Sequence, residues 1–122
     1  MRILIVDDSK TMRAILVSYA RNLECESVEA EDGEKALSYL DRDADFEVVL
    51  IDWDMPRMNG LELLRAIRAD PRFDGLKALM VTSQTSYERV AEALNMGADD
   101  YLMKPLDGEM LAEKLRILGL VN

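Results

Sequence analysis

Five polar side chains stand where short apolar runs end. Asp7 and Asp8 follow residues 3–6, Asp52 follows 48–51, Thr82 follows 79–81, and Lys104 with Pro105 follows 101–103. Brought together, the three carboxylates would not all stay ionised unaided. Two of them about 4 Å apart repel by ~4 kcal/mol at an effective dielectric of ~20, roughly three pKa units. Lys104 offsets part of this, and a hard divalent cation offsets more. An all-oxygen site with few protein ligands suits magnesium, whereas calcium asks for more ligands. With metal and Lys104 present, Asp52 remains an anionic nucleophile that can attack phosphorus and form an aspartyl phosphate. Lys104 then neutralises charge on the transferring group, and the Thr82 hydroxyl can donate to a phosphoryl oxygen. The small Ser83 leaves the approach open to a bulky donor. Such chemistry is positioning plus electrostatics.

The elements that must position these groups follow from periodicity. The runs at 3–6, 48–51 and 79–81 are unbroken, as expected of strands buried on both faces of a parallel sheet. Segments 27–30 and 101–103 are weaker strand candidates. Between them apolar residues recur at helical spacing. Met12, Ile15, Leu16 and Tyr19 mark a first helix, and Ala36, Leu37 and Leu40 a second, which Asp32 is placed to cap. Leu61, Leu64 and Ile67 mark a third; Val90, Ala93 and Leu94 a fourth, stopped by Gly97; Leu111, Leu115 and Leu118 a fifth. Strands alternating with helices predict an α/β fold, a doubly wound parallel sheet with helices on both faces. Ligands then bind beyond the carboxyl ends of the strands, which is where the five polar residues fall. Residues 70–75 read as a turn-rich connection, and no repeat or linker divides the chain.

Composition narrows the function further. A chain of 122 residues has room for a single domain, 1–122, with one core. Its formal net charge of −9 argues against nucleic-acid and anionic-membrane surfaces, which demand clustered Lys and Arg. There is no histidine, so Ser-His-Asp triads and His-ligated zinc are excluded. The single cysteine, Cys25, forms no internal disulfide, and it and the eight methionines read as packing residues rather than ligands. No segment is long and apolar enough for a signal peptide or a membrane span, so a cytoplasmic protein is expected.

The ordered set Asp7-Asp8, Asp52, Thr82 and Lys104-Pro105 resembles response-regulator receiver domains. The resemblance runs from the first strand to the fifth helix. The stretch Asp52-Trp53-Asp54-Met55-Pro56-Arg57-Met58-Asn59-Gly60, with Tyr101 three residues before Lys104, is most similar to CheY-like stand-alone receivers. The resemblance implies a flavodoxin-like (βα)5 sandwich with strand order 2-1-3-4-5. It implies that a histidine kinase donates the phosphoryl group, in two-component signalling of the chemotaxis type. Asp8 and Asp52 would bind Mg2+ directly, Asp7 through water, and Asp54 through its backbone carbonyl. The Lys104-Pro105 bond would be cis. Thr82 and Tyr101 would form a switch pair that reshapes the face of helix four, strand five and helix five. Tyr87, Val90, Tyr101 and Lys114 would meet a downstream protein there, the chain being a monomer or a phosphorylation-dependent dimer. Two features depart from the usual pattern: the charged Asp54 two residues after the acceptor, and Thr85-Ser86-Tyr87 at the start of helix four.

Plainer roles exist for each residue. Asp7-Asp8 could serve only a helix N-terminus, Thr82 could be a helix cap, and Tyr101 a half-buried aromatic. Glu24, Glu26, Glu29 and Glu31 read as a solvated face. Asp52-Trp53-Asp54 also resembles the paired aspartates of haloacid-dehalogenase-type phosphatases, but here the acidic pair comes first in the chain and Pro56 follows. A flavodoxin-like flavin binder shares the fold, yet Asp7-Asp8 would repel its phosphate. A receiver cut from a longer kinase or transcription factor is a further alternative, although the chain ends soon after the fifth helix, where a stand-alone receiver would.

Overall fold

The computed structural model describes residues 1–43, 45–55, 58–83 and 86–122. Five strands, β1 (Arg2–Val6), β2 (Glu26–Ala30), β3 (Val48–Asp52), β4 (Lys77–Thr82) and β5 (Asp100–Met103), form one sheet in the order β2-β1-β3-β4-β5. Every neighbouring pair is parallel, with Ile5 opposite Leu50 and Asp52 opposite Val81. This is the flavodoxin-like arrangement expected from the resemblance. The helices α1 (Lys10–Asn22), α2 (Gly33–Arg42), α3 (Gly60–Arg68), α4 (Tyr87–Met96) and α5 (Gly108–Ile117) follow the strands in turn.

Side chains on a strand alternate between faces, so each central strand feeds two cores. Leu4, Val6, Val49, Ile51 and Met80 pack with Ala36, Leu40, Leu63, Leu64 and Ile67 beneath α2 and α3. Ile3, Ile5, Val48, Leu50, Leu79 and Val81 pack with Leu16, Ala20, Leu111 and Leu115 of α1 and α5. Burial on both sides explains why β1, β3 and β4 are uninterrupted apolar runs. The edge strands β2 and β5 are covered less completely, and their sequences are correspondingly mixed.

Caps set the helix starts. The side chains of Ser9, Asp32 and Asp107 accept from the backbone N–H groups of Met12, Lys35 and Met110. Asn59 and Glu62 form a reciprocal capping box on α3. Gly97 ends α4 at φ 115°, a left-handed conformation that favours glycine.

Four expectations shift. Ile15 is exposed, because α1 rests on Leu16 and Ala20 and its buried stripe passes to one side of Ile15. Leu94 is also exposed, since Ala93 is the residue that α4 buries. Leu118 caps α5 from just beyond its last turn. Within the connection at 70–75, Pro71–Phe73 winds into a short 3-10 helix that buries Phe73. Among the described residues, no helix is long and apolar enough to cross a membrane.

Candidate phosphoacceptor and metal site

Parallel strands bring all their carboxyl ends to one edge, and β1 lies at the reversal of strand order, between β2 and β3. Asp7 and Asp8 leave β1 there, Asp52 is the last residue of β3, Thr82 the last of β4, and Lys104 follows β5. Among the described residues, Asp7, Asp52 and Thr82 are the only buried polar or charged ones, at 1%, 4% and 2% exposure. Buried carboxylates are costly without partners, so this burial marks a built site. The Lys104 ammonium reaches in to hydrogen-bond Asp52 Oδ1 at 3.1 Å, with Asp7 Oδ2 at 3.9 Å.

Local structure holds each group in place. The Asp7 carboxylate accepts the Ser9 N–H at 2.8 Å, while the Asp7 N–H bonds Ala30 O of β2. Arg13 of α1 donates to Asp7 O at 2.7 Å and pairs with Glu29, fixing the exit of β1. Trp53 is pinned on both sides: its N–H donates to Val81 O and its carbonyl accepts from Gly60 N. Gly60 has no room for a side chain, since a Cβ there would sit 2.4 Å from Asp52 O and 2.8 Å from Trp53 Cα. The Lys104 N–H donates to Thr82 O at 2.8 Å, tying the ends of β4 and β5 together. The Lys104-Pro105 peptide is cis, as the resemblance implied. The Tyr19 hydroxyl donates to Leu106 O at 3.2 Å, and its ring lies against Gly108, so α1 braces the loop that carries Lys104.

Burial dominates the electrostatics. It pushes the Asp52 carboxyl up to about 6, against the hydrogen bond from Lys104 and with the help of the neighbouring Asp7 charge. Burial also raises Asp7, opposed by the Ser9 N–H and Lys104 and assisted by Asp8. Asp7 Oδ2 is buried with no hydrogen-bond partner. One oxygen from each of Asp7, Asp8 and Asp52 lies within 4.8 Å of the others, with Asp8 open to solvent. An orphaned buried carboxylate oxygen in an all-oxygen cluster with one exposed member fits a hard divalent cation that keeps some of its waters.

The remaining expected residues lie further out. The Asp54 side chain is 61% exposed and stands 3.9 Å from Arg89 of α4. Its carboxylate is therefore placed toward α4 rather than in the aspartate cluster. Tyr101 is half-buried, with Lys114 Nζ 5.2 Å from its ring centre and 3.0 Å from Asp100 Oδ1. Tyr87 is 84% exposed and Val90 half-buried. Asp32 caps α2 as expected, whereas Ser86 precedes α4 without a side-chain cap bond. Pro56, Arg57 and Thr85 lie outside the described residues. The sequence pattern placed Tyr19 only on the apolar face of the first helix and assigned nothing at the site to it, Arg13, Gly60 or Arg89. Of these, Gly60 alone carried a local signal, an Asn-Gly step opening a helix directly after the acidic loop.

A sequence model described as a response regulator receiver domain matches residues 3–116. The chain is 42% identical to the chemotaxis protein CheY1 of Helicobacter pylori, across 97% of this chain and 96% of the relative. It is also 42% identical to the chemotaxis protein CheY of Pseudomonas aeruginosa, across 100% and 99%. The solved structure of the chemotaxis protein CheY4 of Vibrio cholerae superposes with a TM-score of 0.89 at 32% identity, covering 95% of this chain and 96% of that one. These matches follow the receiver reading rather than the phosphatase or flavin alternatives. An order of acidic, hydroxyl and ammonium groups at successive strand ends, a 2-1-3-4-5 sheet that gathers them, and relatives of the same length lead to one conclusion: this chain belongs to the response regulator receiver domain family.

Proposed function

We propose that Asp52 is the phosphoacceptor of a Mg2+-dependent switch, phosphorylated by a histidine kinase and read by a downstream protein. The observation that carries this reading is the Lys104 ammonium 3.1 Å from a carboxylate that is only 4% exposed, beside an Asp7 oxygen with no hydrogen-bond partner. Asp8 and Asp52 would hold the metal directly, Asp7 through water and Asp54 through its backbone carbonyl. Bound there, Mg2+ supplies positive charge to the oxygens of the transferring group. An Asp52 oxygen attacks phosphorus as the bond from phosphorus to the donor nitrogen breaks, and the electron pair leaves with the imidazole. Lys104 stabilises charge on the phosphoryl oxygens, and Thr82, at the end of β4, is placed to donate to one of them.

The consequence is a change of surface. Thr82 moves toward the phosphoryl group and Tyr101 turns into the space it leaves, reshaping the face of α4, β5 and α5. Exposure supports this face as the output. Tyr87, Leu94, Met110 and Ile117 are four of the five large hydrophobic side chains exposed among the described residues, and all lie on α4 or α5. A cleft of about 500 Å³ lined by Tyr101, Met103, Met110 and Lys114 lies between β5 and α5. Tyr87, Val90, Tyr101 and Lys114 would contact the partner there. The pathway we infer is chemotaxis, on the strength of the full-length relatives, with the chain acting in the cytoplasm as one receiver domain. It works as a switch, not as an enzyme on external substrates. The chain would act as a monomer or as a phosphorylation-dependent dimer.

The test is incubation with Mg2+ and acetyl phosphate followed by intact mass measurement. A single phosphoryl adduct is expected, absent in Asp52→Asn and abolished by EDTA. An undiminished adduct in Asp52→Asn would sink the assignment. Sustained turnover of phosphomonoesters would instead favour a phosphatase.

A further inference from the structure

Trp53 and Asp54 directly follow the acceptor, and one side chain of α4 touches both. The Arg89 guanidinium carbon lies 5.3 Å from the centre of the Trp53 ring, and Nη1 lies 3.9 Å from Asp54 Oδ1. The two ends of this contact differ in freedom. Trp53 is 5% exposed and its backbone is fixed between Val81 and Gly60. The Arg89 and Asp54 side chains are 45% and 61% exposed, so they can rearrange without disturbing the core. Stacking on an immobile ring keeps a cation beside the acceptor loop even if its partner carboxylate moves.

Charge gives the arrangement a use. An aspartyl phosphate carries more negative charge than the carboxylate it replaces, and Asp54 stands two residues away with the same sign. Arg89 offsets Asp54, and it belongs to the third residue of α4, the helix that opens the proposed output face. We propose that Arg89 is a positioning residue that couples the charge state of Asp52 to the first turn of α4. In the resting chain it holds Asp54 against Trp53. When the acceptor is charged, it is drawn toward the added negative charge and carries the start of α4 with it. This rests on the assignment of Asp52 as phosphoacceptor and adds a path from that residue to the output face that runs outside Thr82 and Tyr101.

Trp53 is the single tryptophan, so any tryptophan fluorescence change arises at the residue that follows the acceptor and carries the Arg89 contact. The full-length protein and its Arg89→Ala, Arg89→Lys, Asp54→Asn and Arg89→Ala/Asp54→Asn variants would be treated with Mg2+ and acetyl phosphate. Intact mass measures occupancy separately from fluorescence, so an absent adduct in the unmodified chain would indict the acceptor assignment rather than Arg89. Arg89→Ala should still form the adduct, about two- to fivefold more slowly, the size of one partly exposed charge contact. At equal occupancy it should lose most of the phosphorylation-linked fluorescence change. Asp54→Asn in the Arg89→Ala background should restore the labelling rate but not the fluorescence change. Arg89→Lys, which keeps the charge and leaves folding least disturbed, should retain the rate and lose part of the change. Unaltered rate and fluorescence change in Arg89→Ala would overturn the proposal, as would failure of Asp54→Asn to restore the rate.

Discussion

Lys104 Nζ hydrogen-bonds Asp52 Oδ1 at 3.1 Å and stands 3.9 Å from Asp7 Oδ2, so one ammonium serves two buried carboxylates from different strands. Neither carboxylate is fully compensated: both remain pushed above the usual carboxylate range by burial. Replacing Lys104 by Met keeps most of the stem and removes the charge. Labelling of Asp52 by acetyl phosphate in Mg2+ is expected to fall by about 10²-fold, the usual cost of losing one preorganised electrostatic partner. Lys104→Arg should recover little, because the planar guanidinium does not fit a slot built around a compact ammonium. Stopped-flow fluorescence of Trp53 would measure both.

The raised Asp52 value predicts how the metal-free protein responds to pH. Its carboxyl holds a proton up to about 6 when folded and releases it near 3.8 when unfolded. The folded state therefore binds more protons between these values, and stability from this group is present below about pH 4 and lost as pH rises through 6. In EDTA, urea midpoints should decline across that window. Asp52→Asn should flatten the decline. Mg2+ should raise the midpoint most above pH 6, where it no longer competes with the proton.

Gly60 offers a purely steric test. A methyl group at this position would meet Asp52 O at 2.4 Å and Trp53 Cα at 2.8 Å, both backbone atoms that cannot step aside cheaply. Gly60→Ala should cost roughly 1–3 kcal/mol, as overpacking of a rigid contact does, despite alanine's better helix propensity. Because the displaced atoms carry Asp52, labelling should slow in the same variant. Chemical denaturation and the labelling rate report the two effects separately.

Arg68 tests the fold away from the chemistry. It donates to Gly97 O at 2.8 Å and Phe73 O at 3.0 Å, and pairs with Asp99 Oδ2 at 3.1 Å. Asp99 in turn accepts the Ala78 N–H, so one guanidinium joins α3, the 3-10 turn, the end of α4 and the start of β4. Arg68→Ala should destabilise by about 2–3 kcal/mol, the scale of charged hydrogen bonds in a partly buried network. Differential scanning calorimetry should show the loss while the labelling rate stays unchanged.

Periodicity and residue type alone pointed to the five strands, the five helices and the group of polar residues at the strand ends. Unbroken apolar runs are what a doubly covered strand requires, and strand ends in a parallel sheet must share an edge. Asp7, Asp8, Asp52, Thr82 and Lys104 were therefore legible as a set before any contact was known. Exposure at helix margins was not, and Ile15 and Leu94 face solvent because a neighbouring helix position fills the seam instead. Long-range contacts were equally hidden. That Asp7 Oδ2 is left without a hydrogen-bond partner, that Gly60 must clear Asp52 O, that Tyr19 reaches Leu106 and that Arg89 lies on Trp53 are outcomes of how separate elements pack. Local sequence sets which face a residue can present; only packing against the other elements decides what it meets.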